Sequence, residues 1–484
     1  MDSEQQTLIR TSFESAAPHA ADVARMFYGR LFEIDPALRP LFKGDMEEQG
    51  RKLMQMLATV VGNLHKLEAI VPAVRALGAR HANYGVKDSD YGTVAAALLW
   101  TFETALGEAF TPATRDAWVA AYTILAGQMQ DAAHAAAASL PPKGQPILKT
   151  RLTETFALDS PFVNAGMAFV AGAPLATAVC KAGGLGMIGI AAMSPDELTS
   201  QIRTIRAGTN RAFGIDIIAR FSPPEHIDVL VAEKPALVVF FWDAAPEGWI
   251  ARLREAGSRV WVQIGSVDEA KAAIAWGVDG LVVQGSEAGG HNRSSAGLLS
   301  LLPVIRDLAP ELTLVAAGGI ADARTAAAAL ALGADGVWVG TRLIGSIEAN
   351  AHDEYKQRVL AAKVDETARH GVFGPEFPDA TVRGLRNRVV REWEGHDAPY
   401  KTATPEQMPI IGEADIYGQK MPMNRFCGFP ATKGASGDFE EMSLLAGESV
   451  GLTNELLPAE TIIRDMMEGA AAIIKGRLAA MTAA

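Results

Sequence analysis

The sequence has little that could crosslink it, hold a structural metal or cross a membrane. Its 484 residues include two cysteines, Cys180 and Cys427, which lie far apart and form no Cys-x-x-Cys pair. This excludes a disulfide framework and a cysteine zinc cluster, so a reducing cytoplasm is the expected compartment. No apolar run reaches the roughly 18 residues of a membrane-spanning helix, and we expect no membrane association.

Positive charge is also scarce. Lys and Arg total 44 against 56 Asp and Glu, which gives a formal net charge of −12 at pH 7. An acidic chain is a poor partner for nucleic acid or an anionic membrane surface, so neither is expected as a ligand. Hydrophobic residues at 49% and charged residues at 21% are typical of a globular protein. The length predicts two domains, since one domain averages about 150 residues.

Residues 1–139 have the pattern of an all-α domain, because apolar residues recur there every three or four positions. Three predicted helices carry a polar residue on the apolar face: Tyr28 in 21–32, Gln49 in 49–61 and His81 in 71–81. Each side chain alone is more often a hydrogen-bonded core residue than part of a site. Together they indicate one polar-lined pocket.

A proline-rich stretch marks a linker at 140–150, since no helix can pass through it. In 151–484, short β-branched runs then alternate with helical stretches, which predicts parallel strands with helical crossovers. Eight such units favour a closed (β/α)8 TIM barrel over an open doubly wound sheet. The predicted strands are 162–165, 187–190, 213–218, 237–241, 259–264, 280–284, 313–317 and 336–340. The remainder should cap the barrel, with closing helices at 440–451 and 460–478.

The loops after the last predicted strands contain glycine pairs and polar residues. Gln284, Glu287 and His291 follow strand six, where a barrel builds its active site. Gly318-Gly319 and Gly340-Thr341 follow strands seven and eight, the two loops that hold a phosphate in many barrels. His291 is expected to titrate near neutrality and to act as a general base or as a cation, the alternative being an exposed loop histidine.

The helical half resembles the globin domain of bacterial haemoglobins and flavohaemoglobins. The resemblance lies in Met-Phe-Tyr-Gly-Arg-Leu-Phe at 26–32, Asp-Pro-Ala-Leu-Arg-Pro-Leu-Phe at 35–42, and His81 followed ten residues on by Tyr91. It implies a domain that holds heme b. The roles implied are His81 as iron ligand, Phe42 packed on the porphyrin, Tyr28 and Gln49 as distal donors, and Tyr91 on the proximal side.

The second half resembles the nitronate monooxygenase family, formerly called 2-nitropropane dioxygenases. The motifs are Ala-Gly-Met-Ala at 165–168, Phe-Gly-Ile-Asp at 213–216 and Glu-Ala-Gly-Gly-His at 287–291. They imply a TIM barrel with non-covalent FMN. The implied roles are phosphate binding by Gly318, Gly319, Gly340 and Thr341, flavin-ring contacts from Gly166, Met167, Asp216, Gln284, Gly289 and Gly290, and catalysis by His291.

Three places depart from these families, and one of them is Asn292-Arg293, which replaces the small residue common after the flavin family's histidine. Asp216 stands where the flavin family usually has asparagine, and the globin's proximal carboxylate is replaced at about Ala135.

The combined resemblances imply FMN-dependent oxidation of alkyl nitronates with dioxygen, giving a carbonyl compound and nitrite, beside a haem that binds dioxygen or nitric oxide. Three alternatives stay open: a haem fed by FMN that oxidises nitric oxide, enoyl reduction, and a gas-sensing globin that regulates the barrel. The oligomeric state is not predicted.

Overall fold

The structure is a computed structural model that describes residues 1–42, 46–83, 86–138, 145–241, 245–375, 381–396, 401 and 403–481. The chain divides into two compact units, Met1–Leu140 and Pro141–Ala484, each with its own hydrophobic core. The predicted boundaries stay predictions, because residue 139 and residues 140–144 of the predicted linker lie outside the described residues.

The first unit consists of helices that each bury an apolar face. In its described part these are α1 (Ser3–Ala16), α2 (Ala20–Ile34), α3 (Met46–Gly62), α4 (Leu67–Asn83), α5 (Asp88–Leu106) and α6 (Pro112–Ala138). The buried indole of Trp118 in α6 donates to the Ser12 hydroxyl in α1 at 2.9 Å, which pairs two polar groups inside this core. The helices predicted at 21–32, 49–61 and 71–81 lie within α2, α3 and α4 and are confirmed.

The second unit is a parallel barrel in which all eight predicted strands are confirmed. Its strands are β1 (Phe162–Asn164), β2 (Gly186–Ile190), β3 (Phe213–Ile217), β4 (Leu237–Phe241), β5 (Arg259–Ile264), β6 (Gly280–Gln284), β8 (Thr313–Ala317) and β9 (Gly336–Val339), while β7 (Gly290–His291) lies outside the barrel. Their order is β1-β9-β8-β6-β5-β4-β3-β2. A parallel bridge between Val163 and Leu185 brings β1 alongside β2 and nearly closes the barrel.

Helices cover the outside of the barrel and also close one end. The crossover helices are α8 (Ala173–Lys181), α9 (Pro195–Gly208), α10 (Pro224–Glu233), α11 (Trp249–Glu255), α12 (Val267–Ala275), α13 (Leu298–Leu308) and α14 (Ala323–Ala331). A short helix before β1, α7 (Arg151–Phe156), packs the Phe156 ring 5.7 Å from that of Trp261 in β5. Trp261 is buried near the start of β5, so apolar side chains fill this end and a site can form at the opposite, carboxyl end of the strands. In the described residues, no helix combines the length and the apolar character needed to span a bilayer.

The chain after β9 forms the predicted cap. Its elements are α15 (Thr341–Ile344), α16 (Asp353–Ala361), β10 (Thr367–His370), β11 (Val382–Leu385), α17 (Arg388–Trp393), β12 (Ile410–Ile416), β13 (Gln419–Asn424), β14 (Ser436–Gly437) and α18 (Ala459–Ala472). Two three-stranded sheets result, β10-β11-β7 and β13-β12-β14. The first of these includes β7, so the cap holds the segment that contains His291.

One predicted closing helix is wrong and the other is confirmed. Residues 440–451 form no α-helix, only a 3-10 turn that starts at Glu448. Their polar groups bond across the fold instead of along a helix: the Glu440 carboxylate accepts the Arg388 N–H at 2.6 Å, and the Leu444 carbonyl accepts the Leu385 N–H at 2.9 Å. The helix predicted at 460–478 is α18, which continues as a π-helical turn to Leu478.

Candidate functional sites

One cavity of about 430 Å³ opens at the carboxyl end of the barrel strands. The structure brings all the predicted flavin residues and the predicted catalytic residue to its wall: Gly166, Met167, Asp216, Gln284, Gly289, Gly290, His291, Gly318, Gly319, Gly340 and Thr341. They come from the ends of β1, β3, β6, β8 and β9 and from β7. Residues 175 positions apart in the chain thus share one site because parallel strands end at one rim.

The glycine pair after β8 has a backbone that other residues rarely adopt. Gly318 and Gly319 have φ of +109° and +69°, in the left-handed region where a Cβ is strained. At Gly340, after β9, an added Cβ would lie 3.4 Å from that of Ala165, so bare backbone faces the cavity there. Backbone of this kind can approach a phosphate closely.

His291 is held by its backbone. Gly290 and His291 pair with Arg383 and Val382 of β11, and the Gln284 side-chain amide donates to the His291 carbonyl at 3.1 Å. The Gln284 side-chain oxygen is buried and has no hydrogen-bond partner among the described residues, so it is available to a donor on a ligand. Gln284, a predicted flavin contact, therefore holds the backbone of His291.

Asn292, which the motif analysis noted only as a departure from the family, ties this loop together. Its fully buried side-chain amide lies 3.1, 3.2 and 2.9 Å from the carbonyl oxygens of Gly285, Ser286 and Ala288, all of which it serves as donor. Its own side-chain oxygen accepts the Ser294 N–H at 2.9 Å. The chain on both sides of Gly289-Gly290 is thereby joined.

The imidazole of His291 is neutral at ordinary pH. Burial first, and the nearby Arg293 guanidinium second, lower the pKa of His291 to about 4. Its pKa therefore differs from the near-neutral value expected from the sequence. The sequence left the base and cation roles open, and the structure favours a neutral base.

Asp216 is a second ionisable group whose uncharged form is favoured by burial. Its carboxyl is only 5% exposed, burial raises its pKa well above the usual range, and one carboxyl oxygen has no hydrogen-bond partner among the described residues. Gly166 packs directly on it, since an added Cβ at Gly166 would lie 2.2 Å from that of Asp216. A neutral carboxyl can donate a hydrogen bond, as the family's asparagine amide can.

Glu287, which was expected at the active site, has a structural role. Its two carboxylate oxygens accept the N–H of Leu298 at 3.0 and 3.1 Å, so it caps α13, whose preceding residue is Gly297. Residues that motif reasoning missed also line the cavity: Phe169, Phe221, Phe241, Gln263, Tyr355 and Phe429. Phe241 is the last residue of one predicted strand and Gln263 the last but one of another, so their positions could have predicted that they line the site.

In the helical unit, three of the predicted haem-pocket residues form one group. The Tyr28 hydroxyl donates to the backbone carbonyl of Gln49 at 3.3 Å, and the ring of Phe42 lies 5.3 Å from that of Tyr28. Burial raises the pKa of Tyr28 to about 12, so it stays a neutral donor. Two helices and the segment between them therefore supply the predicted distal side.

His81 and Tyr91 form the other group, with ring centroids 6.2 Å apart. Tyr91 is held by the Tyr122 hydroxyl, which donates to its carbonyl at 2.7 Å. The Tyr91 hydroxyl is buried and has no hydrogen-bond partner in the described part of the chain. The side chain of Ala135, where the family's carboxylate is replaced, lies outside the described residues.

The chain matches the family model "Nitronate monooxygenase" over residues 149–222 and 220–469. It belongs to the nitronate monooxygenase family. Residues 25–129 match the family model "Globin", so a globin domain precedes the barrel, as predicted. The family makes this chain an oxidoreductase of the flavin-barrel type.

Known relatives of the barrel are named for different activities. A Mycobacterium tuberculosis protein, (3aS,4S,5R,7aS)-5-hydroxy-7a-methyl-1-oxo-octahydro-1H-indene-4-carboxyl-CoA dehydrogenase, is 40% identical over 246 residues, which are 50% of this chain and 66% of that protein. The match thus spans just under two thirds of that relative. A probable nitronate monooxygenase of Staphylococcus aureus is 28% identical over 66% of this chain and 96% of its own length.

Solved structures resemble the barrel as well. FabK from Thermotoga maritima is 29% identical, with a TM-score of 0.58 over 69% of this chain and 99% of its own. Nitroalkane oxidase from Streptomyces ansochromogenes is 28% identical, with a TM-score of 0.54 over 68% of this chain and 99% of its own.

Proposed function

We propose that the barrel binds FMN and oxidises alkyl nitronates and their parent nitroalkanes with dioxygen, releasing a carbonyl compound and nitrite. The observation that carries this proposal is the single cavity that gathers every predicted flavin residue and His291. The relatives named nitronate monooxygenase and nitroalkane oxidase support the same chemistry.

The cavity residues fit FMN. Gly318, Gly319, Gly340 and Thr341 would hold the phosphate through their backbone. The positive φ of Gly318 and Gly319 and the absence of a side chain at Gly340 would let the phosphate come close. The flavin ring would be surrounded by Gly166, Met167, Gln284, Gly289 and Gly290. The Gln284 side-chain oxygen, which has no hydrogen-bond partner among the described residues, would accept a hydrogen bond from the ring. When bound, FMN supplies the electron acceptor for the substrate and passes the electrons to dioxygen.

His291 then has a defined task. A neutral imidazole can take a proton from the carbon beside a nitro group but carries no charge with which to hold an anion. Its position two residues after Gly289, in β7, keeps the ring at the cavity wall. Gln284 donates to the His291 carbonyl and Asn292 donates to the Ala288 carbonyl, so both side chains hold the backbone from which the ring extends.

For the globin unit we propose heme b, with His81 as the iron ligand and Tyr28 and Gln49 as distal donors to bound dioxygen or nitric oxide. One imidazole and one neutral phenol in the same helical unit are a donor set that fits haem. The Tyr91 hydroxyl, which has no hydrogen-bond partner in the described part of the chain, would give the His81 side a donor. When bound, haem supplies a reversible gas-binding iron.

A direct assay tests the barrel proposal. The purified chain, reconstituted with FMN, is mixed with nitroethane or its nitronate in air while nitrite and oxygen are followed. We expect nitrite release with matching oxygen consumption, both abolished when FMN is left out. Absence of nitrite with every nitro compound would exclude the function.

A second candidate is oxidoreduction of an acyl thioester in the same cavity. It is favoured by the 40% identity to the Mycobacterium tuberculosis CoA dehydrogenase, which exceeds the 28% identity to the nitronate monooxygenase. Turnover of an alicyclic acyl-CoA with a nicotinamide or dye partner, without nitrite from nitroalkanes, would establish this candidate instead.

A further inference from the structure

The cavity wall that remains beyond the predicted flavin contacts is largely apolar. Two groups of side chains form it. The barrel wall consists of Ile218, Phe221 and Phe241, and the cap wall consists of Phe169 and Phe429.

The barrel wall lies at the ends of β3 and β4. Ile218, Phe221 and Phe241 pack together as a small apolar cluster separate from the main core, and each stays partly exposed. Covering partly exposed apolar side chains inside a cavity with an apolar ligand makes the free energy of binding more favourable. The barrel wall therefore favours a hydrocarbon group as its occupant.

The cap wall is held in an unusual conformation. Phe169 has a φ of +66°, which costs a bulky residue energy and is common at functional sites. Its carbonyl accepts the Asn350 side-chain amide at 2.9 Å, and its ring lies 5.3 Å from that of Phe429, edge to face. The fold thus holds the Phe169 ring at the cavity although the residue's backbone conformation is unfavourable for phenylalanine.

The lining also lacks a cation. In the described part of the chain, no lysine or arginine lines the cavity, and its ionisable groups are Asp216, His291 and Tyr355. Burial favours the uncharged form of all three groups, since it raises the pKa of Asp216 and Tyr355 and lowers that of His291. An anionic substrate group that lay between these apolar walls, away from the glycine loops proposed for the phosphate, would lose its hydration without gaining an ion pair from them.

We propose that the reacting part of the substrate enters this cavity uncharged and carries an apolar body that packs between the barrel wall and the cap wall. This inference rests on the proposed function, because only that function makes the substrate a nitro compound. Among nitro compounds, the inference selects neutral nitroalkanes over nitronates and nitro acids. The substrate class is then a neutral nitro compound with a sizeable alkyl or alicyclic group.

Binding of inert ligands tests the proposal without turnover. The full chain with its cofactors is titrated calorimetrically at pH 7.5 with straight-chain primary amides from propanamide to octanamide, and with the matching carboxylates. We expect each added methylene to tighten amide binding about three- to fourfold. The carboxylates should bind at least about 100-fold more weakly than amides of equal length. Equal binding of both series, or amide binding independent of length, would overturn the proposal.

Two variants locate the walls. Phe429→Ala and Ile218→Ser should each reduce the gain per methylene, whereas Leu299→Ala, at a side chain 70% exposed on α13, should leave it unchanged. An undiminished gain in both wall variants would also overturn the proposal, and two positions protect the test against one variant that fails to fold.

The outcome separates this inference from the proposed function. A steep amide series without nitrite from any nitro compound would keep the apolar, uncharged substrate class and exclude nitronate chemistry. Nitrite release from 3-nitropropionate as efficient as from 1-nitrohexane, with a flat amide series, would keep the chemistry and exclude the inference.

Discussion

The side-chain amide of Gln284 donates a hydrogen bond to the carbonyl of His291 across 3.1 Å, which joins the end of β6 to the strand that carries the candidate base. The buried side-chain oxygen of Gln284 is without a partner in the described structure, and Gln284 lines the cavity proposed for the flavin. The same side chain thus relates the position of the base to that of the cofactor, and the predictions below depend on this arrangement.

Replacing His291 by Ala should lower nitroalkane turnover by about 100-fold to 10,000-fold, since general base assistance has that size. FMN content should stay unchanged, because the glycine loops that would hold it lie elsewhere. Rates and flavin absorbance of the purified variant check both parts. His396→Ala, at an exposed histidine of the same unit, is the control. Full turnover in a flavin-loaded His291 variant would remove this residue from the mechanism.

The pH dependence of turnover should reveal the depressed pKa of His291. The imidazole is active when neutral, so kcat with a saturating neutral nitroalkane should be level from about pH 5 to about pH 8 and fall as pH drops through about 4. Arg293→Gln should move the fall to higher pH, because it removes a positive charge that lowers this pKa. A wild-type midpoint near the ordinary histidine value of about 6.5 would contradict the neutral, buried imidazole.

Asn292→Ala should loosen the loop that carries His291. The Ala288 carbonyl loses the Asn292 donor, whereas the Gly285 carbonyl keeps the Ala288 N–H and the Ser286 carbonyl keeps the Arg383 side chain. One unsatisfied buried group typically costs about 1–3 kcal/mol of stability. A displaced base should lower kcat by up to about 100-fold with little change in KM. Thermal unfolding and steady-state kinetics measure the two effects, with Ser295→Ala, an exposed neighbour, as control. Wild-type kcat in this variant would show that Asn292 does not position the base.

The sequence was most informative about the barrel, because β-branched runs separated by glycine mark buried parallel strands well. All eight strands were predicted to within a few residues, and the strand ends then located Gln284 and Gly318 at the rim. Long-range bonds were invisible. Glu287 caps a helix that begins eleven residues later. Glu440 pairs with the Arg358 side chain and accepts the backbone N–H of Arg388 instead of starting a helix.

The aromatic walls escaped prediction for a related reason. Phe429 comes from the cap, where no periodic pattern places it over the barrel, and Phe169 occupies a backbone conformation that propensities do not anticipate. The pKa of His291 depends on burial, which a motif cannot report.

Gly319→Asp should abolish flavin binding. The new side chain needs the left-handed φ of +69° that non-glycine residues disfavour, and its charge would face the proposed phosphate. Flavin per chain, measured by absorbance after denaturation, should fall to background. Gly476→Asp is the matched control, since that glycine is exposed and has open space around it. Wild-type flavin content in the Gly319 variant would exclude the proposed phosphate site.

His81→Ala should remove haem while leaving FMN bound, because only the proposed iron ligand is lost. The Soret absorbance of the purified variant reports haem and the flavin absorbance reports the barrel. His65→Ala changes an exposed histidine of the same unit and should keep both. An undiminished Soret band in the His81 variant would mean that another residue binds the iron or that no haem site exists there.

The central claim, that one chain joins a haem globin to an FMN barrel that oxidises nitro compounds, is tested most directly by the visible spectrum during an anaerobic titration with a neutral nitroalkane. The account predicts a Soret band and flavin absorption in the same purified chain, with the oxidised flavin absorption disappearing as 1-nitrohexane is added. A chain without flavin absorption, or a flavin that nitroalkanes leave oxidised while NAD(P)H reduces it, would contradict the account.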